Sequence, residues 1–223
     1  MRFWSGGADL LGRALGGATT AVSHVRPAAK PLHPRGGVAH GVFERSGLQP
    51  PVGIDWLDRP GRDDALVRVS RAAGLPGPLP DVQGVAVRIR HGDDPPVDVL
   101  MNSSGTGRFT RFGLRPSRAV DGCALSTLMT YSMPDGTKVV LGADAEQTGD
   151  ELLLRLRVAA PRGPWRTFGV ARVDQGELDE DGEISFDPVL NAPPGLTPAR
   201  WFAQLRKYSY RAARRARAGD DAA

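Results

Sequence analysis

The chain has 223 residues, 40% apolar and 24% charged, with a net charge of +4 at pH 7. This is the ordinary make-up of a globular domain with one sizeable core, and the mild basic balance points only weakly to an anionic partner. The single cysteine, Cys123, excludes an internal disulfide and any cysteine-based metal cluster, and reads as a small buried hydrophobe. With one cysteine, a reducing cytoplasm is the default compartment. No apolar run approaches the roughly 18 residues of a membrane span, so no membrane partner is expected. The chain also lacks the aromatic interleaving of a single-strand binder, so no nucleic-acid partner is expected either.

In chain order, residues 1–26 come first. They carry an acidic residue and an arginine inside an apolar stretch, which suits an amphipathic helix better than a signal peptide. Pro27 to Pro34 is an extended connector. Strand-like runs follow: "GVAHGVFER", "ALVRVSRA", "GVAVRIRH" and "PVDVLMNSS", each alternating or continuously apolar between Gly, Pro and Asp turns. The segment "RFTRFGLRPSRAVDG" has no period and reads as a loop with at most a helical turn. Strand signals resume in "ALSTLMTYSM", "TKVVLGADA", "ELLLRLRVAA" and "RTFGVARVD", with "MPDGTK" as a turn.

Eight such segments at turn-length spacing predict an antiparallel β-barrel. The acidic "DQGELDEDGE" reads as a solvated hairpin or loop whose spacing misses a calcium-binding loop. The run "FDPVLNAPPGL" predicts an extended, fixed loop. Thr197 and Pro198 then read as the N-cap and first position of a helix reaching Arg217. The expected fold is α+β: an eight-stranded barrel over residues 27–217 that includes the C-terminal helix, a helical arm over 1–26, and a frayed tail over 218–223.

The last helix holds the first chemical signal. Arg206 and Tyr210 are four residues apart and share a helical face, with Arg217 two turns beyond on the same side. A phenol titrates near pH 10 when unperturbed, to about a unit, and a guanidinium one turn away favours its charged form. Tyrosinate is one of the few protein ligands of haem iron.

The stretch "HPRGGVAHGVFE" resembles the first signature of the haem catalase family, His-x-Lys/Arg-Gly-x-x-Ala-x-Gly-x-Phe-Glu. Further along, "VRVSRAAGLPGPLPDVQGVAVRI", "VDVLMNSS", "FDPVLNAPPGL" and "RKYSY" resemble later motifs of that family in the same order. The resemblance implies roles for particular residues. His33 would be the distal imidazole, Asn102 the distal amide, and Ser70 the group orienting the imidazole. Tyr210 would be the axial iron ligand, with Arg206 supporting its phenolate. Arg68, Arg217 and Lys30 would meet the propionates of a haem b. A single imidazole near neutral pKa can take a proton from one peroxide oxygen and return it to the other. The other histidines, His24, His40 and His91, read as ordinary surface or strand residues.

The chain departs from the family pattern in several places. The helical domain beyond the proximal motif and the long connector are not there. "SGTGRF" replaces the distal aromatic pair, and "YRAAR" replaces the residues that usually follow the proximal tyrosine. A shorter, more open channel would favour peroxidase over catalase chemistry on hydrogen peroxide or small organic hydroperoxides, with a small reducing donor. The rival expectation is a barrel that has lost haem and binds another small molecule. The oligomeric state stays open, a homodimer among the options.

Overall fold

The computed structural model describes residues 36–75, 78–176, 179–180 and 184–199. The N-terminal helix expected over 1–26 and the body of the helix expected to reach Arg217 lie outside these residues. Within them, strands β1 (Gly36–Arg45), β2 (Gly61–Arg71), β3 (Gln83–Arg90) and β4 (Val97–Ser103) form an antiparallel meander. Strand β5 (Ala124–Ser126) continues it. The two-residue β6 (Tyr131–Ser132) stands aside, and β7 (Lys138–Thr148), β8 (Glu151–Ala159) and β9 (Arg166–Asp174) complete the circuit. Strand β9 pairs back onto β1, so eight strands close into a barrel. Closure leaves no edge in the ring, which removes the usual route to strand-to-strand aggregation.

Alternation decides what faces inward. Residues paired directly across an antiparallel ladder share a face. Val67, Val87 and Val99 are successive partners across β2, β3 and β4 and are all buried. They therefore mark the interior, along with Leu141, Leu154, Leu156 and Ala171 from the other side of the barrel. Phe43 and Phe168 meet edge to face at 6.1 Å, and Trp56 packs on Phe168 at 5.2 Å. Trp56 belongs to α1 (Asp55–Asp58), a single turn that joins Leu48, Ile54 and Leu57 to the core. The interior is thus filled by side chains and holds the barrel together as a core.

Several details depart from the sequence reading. Apart from α1 and one turn of 3-10 helix (Thr110–Phe112), the described residues are sheet and loop, so the α part of the expected class is not found among them. Thr197 and Pro198 do not cap a helix: they form β11 (Thr197–Pro198) and pair with Ser132 and Tyr131. Proline's φ near −65° suits an extended edge as well as a helix start, and the partner strand decides the outcome. The run "ALSTLMTYSM" is two strands rather than one, because the chain turns at Leu128, whose φ is 58°. The acidic segment places a short strand, β10 (Asp179–Glu180), against β1. Among the described residues, no helix is long and apolar enough to cross a membrane.

Candidate functional site

The described candidates lie on the outer wall of the barrel. On β2, Ala65 and Val67 point inward, so Leu66, Arg68 and Ser70 belong to the opposite face. Ser70 pairs with Gly84, and Gly84 pairs with Asn102. The same lateral row continues through Ser126, Gly142 and Arg157. With neighbouring strands about 4.8 Å apart, Ser70 and Asn102 stand about 10 Å from one another across Gly84. Arg68 lies two residues along β2 from Ser70, about 7 Å away on the same face.

Ser70 and Arg68 are held by their neighbours. The Ser70 hydroxyl is buried and donates to the Gly84 carbonyl oxygen at 3.3 Å. The Arg68 guanidinium is also buried, although it is on the outer face. It folds back over β1: a Cβ on Gly36 would come within 2.9 Å of the Arg68 Cζ and 2.7 Å of the Val69 carbonyl oxygen. Only glycine fits there, which gives a physical reason for the Gly in "PRGG". Asn102 is half-buried, and its amide makes no side-chain hydrogen bond to the described residues. Between Ser70 and Asn102 the wall is smooth, since Gly84 carries no side chain and Ala86 next along β3 carries a methyl. The result is a flat strip with a hydroxyl and a guanidinium on one side and an amide donor on the other.

Two networks outside the predicted set fix the surroundings. Asp98 is fully buried on the outer face of β4. It accepts a two-pronged bond from Arg88 at 2.7 and 2.8 Å, which holds that guanidinium above its usual pKa despite the cost of burial. Asp98 Oδ2 also accepts from the Asp187 backbone N–H and the Asn191 amide, both at 2.7 Å. Arg88 donates to the Ser185 carbonyl oxygen and stacks on Phe186 at 5.0 Å. Loop 184–196 is thereby fixed to the wall as the sequence predicts, but it is not extended throughout, because the chain turns at 188–191 and again at 194–195.

The second network fixes the loop that follows Asn102. Arg111 is only 2% exposed, with no carboxylate partner among the described residues. It donates to the carbonyl oxygens of Gly107, Ala160 and Gly163 at 3.0–3.2 Å. Its guanidinium lies 4.4 Å from the Trp165 ring, and Arg157 lies 5.0 Å from the same ring. Burial, with Arg157 and Arg108 nearby, lowers the Arg111 pKa. Trp165 in turn donates to the Thr106 carbonyl oxygen and sits over Gly142, where a Cβ would meet its ring at 2.9 Å.

Of the eight site residues expected from the sequence, the structure brings together Arg68, Ser70 and Asn102. Lys30, His33, Arg206, Tyr210 and Arg217 lie outside the described residues. Asp98 and Arg111 were missed. Asp98 carried a signal, a lone carboxylate in an apolar strand run, whereas Arg111 carried none, because its partners are as many as 52 residues away. Among the described residues, no group of three or more His, Cys, Asp or Glu side chains could hold a metal ion.

The closed eight-stranded antiparallel barrel with polar groups on its outer wall is a catalase-like architecture. Catalase A from Saccharomyces cerevisiae matches it with a TM-score of 0.60 at 13% identity, over 87% of this chain. The match spans 62% of the yeast chain's length, and the likeness is one of fold. No family model and no curated protein matches the sequence.

Proposed function

We propose that the chain is a haem-dependent peroxidase that cleaves hydrogen peroxide or small organic hydroperoxides against the outer wall of the barrel. The observation that carries this reading is the row Ser70–Gly84–Asn102 with Arg68 beside it. It is a smooth strip suited to a flat ligand, with an amide donor that the described protein leaves unused. Gly36, the partner of Ser70, follows His33 by three residues. Three residues span at most about 10 Å, and the distal role proposed for His33 requires its imidazole to lie within that reach of Gly36.

The residues fit a haem on its distal side. Asn102 would hold a peroxide oxygen by donating to it, and Ser70 would orient the His33 ring through its hydroxyl. Arg68 would pair with a propionate, a role that Lys30 and Arg217 would share. Tyr210 would bind the iron as phenolate, kept charged by Arg206. Bound haem would supply the redox-active metal and its open coordination position. His33 would take the proton from one peroxide oxygen and return it to the other. A small organic donor would then supply the reducing electrons.

The test is haem titration of the full chain, read by absorption spectroscopy, for wild type, Tyr210→Phe and His33→Gln. Wild type should give a high-spin ferric phenolate spectrum that Tyr210→Phe loses. His33→Gln should keep the spectrum and lower the peroxidase kcat/KM by about 10²–10⁴-fold. A spectrum unchanged in Tyr210→Phe overturns the ligand assignment. Strong oxygen evolution without donor oxidation overturns the preference for peroxidase over catalase chemistry.

A further inference from the structure

Six large apolar side chains are exposed among the described residues, and five of them lie on two loops: Leu75, Leu79, Phe109, Phe112 and Leu114. Phe109 is 73% exposed, Leu114 51% and Leu79 49%, so these side chains project from the loops. The loops are held to each other. Asp81 and Ser117 exchange backbone hydrogen bonds at 2.9 and 2.8 Å, and the Gln83 amide donates to the Ser117 carbonyl oxygen. Clusters of exposed apolar residues of this kind mark interaction sites rather than ordinary surface.

The exposed charged residues on these two loops are all arginines. Between Asp98 and Asp121 the chain has no acidic residue and four arginines. Arg108, Arg115 and Arg118 are exposed, and Arg162 reaches across to lie 5.5 Å from the Phe109 ring. In the 72–82 loop the one carboxylate, Asp81, is buried and occupied by the backbone N–H groups of Ala73, Leu75 and Val82. An isologous contact with a second copy would set arginine against arginine, so charge disfavours self-association through this patch. Projecting phenylalanine and leucine among unpaired-sign arginines match an anionic lipid surface, with the apolar tips at the acyl boundary and the guanidinium groups at the phosphates.

We infer that these two loops dock the protein peripherally on anionic membranes. The absence of an apolar span led to the expectation of no membrane partner. The patch was invisible at that level, because it is assembled from two loops more than 25 residues apart in places and contains no apolar run.

The experiment is co-sedimentation of the full chain with vesicles of phosphatidylcholine, alone or with about one-third phosphatidylserine. Binding is expected only to the anionic vesicles, and should weaken as salt rises. Arg115→Gln/Arg118→Gln should weaken it about 25-fold, at about fivefold per arginine. Phe109→Ser/Leu114→Ser should weaken it about tenfold or more. All four side chains are exposed, so thermal unfolding of both variants should match wild type and confirm folding. Absence of binding to anionic vesicles overturns the inference. So does binding that survives both double variants, because the arginines of 206–217 would then be its source. Concentration-dependent self-association abolished by Phe109→Ser/Leu114→Ser would assign the patch to a second copy instead and overturn it as well.

Discussion

Replacing Asp98 by alanine should cost more than almost any other single change on the barrel's outer wall. The carboxylate is fully buried and receives four donors: two from Arg88, the Asp187 backbone N–H and the Asn191 amide. Removing it leaves a guanidinium that is only 12% exposed facing a cavity without a counter-charge. Breaking a buried pair from one side costs about 3–5 kcal/mol. For a domain of this size, that corresponds to a fall in Tm of about 6–20 °C. The loss should also free loop 184–196. Leu190 is 83% exposed, so only the fixed backbone protects its peptide bond, and chymotrypsin should cut there in the variant first.

The double variant Arg88→Met/Asp98→Leu separates the charge effect from the loop effect. It removes the stranded cation and restores apolar packing, but leaves the Asp187 N–H and Asn191 amide unsatisfied, at about 1–3 kcal/mol. It should therefore recover about 2 kcal/mol of the loss in thermal unfolding while staying sensitive to chymotrypsin. If Asp98→Ala unfolds within about 2 °C of wild type, or if the double variant is no more stable than the single one, the ion pair is not what fixes the loop.

Asp81 should give a pH-dependent stability. Burial pushes its pKa up, but hydrogen bonds from Ala73, Leu75 and Val82, with Arg71 close by, outweigh that and leave it below the ordinary aspartate value. A depressed carboxylate stabilises the fold above its unfolded pKa and loses that contribution as pH falls through the folded one. Asp81→Ala should thus lower Tm at pH 7 by about 2–12 °C, and the gap from wild type should narrow steadily in acid, as followed by circular dichroism. Arg111→Met should lose three carbonyl bonds and the stacking on Trp165, destabilising by about 2–3 kcal/mol and changing Trp165 fluorescence. An unchanged emission spectrum would show that the ring is not held by the guanidinium.

Much of the barrel was legible because its strands obey a simple period. In "ALVRVSRA" and "GVAVRIRH", Ala65, Val67, Val85, Val87 and Ile89 enter the core in alternation, and the alternation survives into the register Val67–Val87–Val99. The break at Leu128 was not legible, since no glycine or proline marks it. Pairing with β6 decided the conformation of Thr197–Pro198, and local preference could not foresee that partner. The site was legible in a different way. Ser70 and Asn102 are 32 residues apart in sequence, and only the shared partner Gly84 sets them in one lateral row. Arg68 was expected at a ligand, but its approach to Gly36 also shows how a charged residue on an outer wall comes to be buried.

The filled interior explains why the candidate chemistry lies outside. A barrel of eight strands has room for side chains or for one small ligand, and here Val87, Leu141, Leu154, Leu156 and Phe43 occupy that room. A flat cofactor can then only lie against the wall, where backbone groups are already paired and the strands give a rigid base. Rigidity of the wall alone does not define a pocket, which needs sides. Loop 184–196, held by Asp98, and loop 104–118, held by Arg111, are fixed on that outer face by buried ionic or cation–aromatic contacts. Both anchors are buried charges whose contacts tie a loop to the wall, Asp98 through Asp187 and Asn191 and Arg111 through the carbonyl oxygens of Ala160 and Gly163. The position of the strip between Ser70 and Asn102 relative to its loops therefore depends on Asp98 and Arg111, which make no hydrogen bond to Ser70 or Asn102.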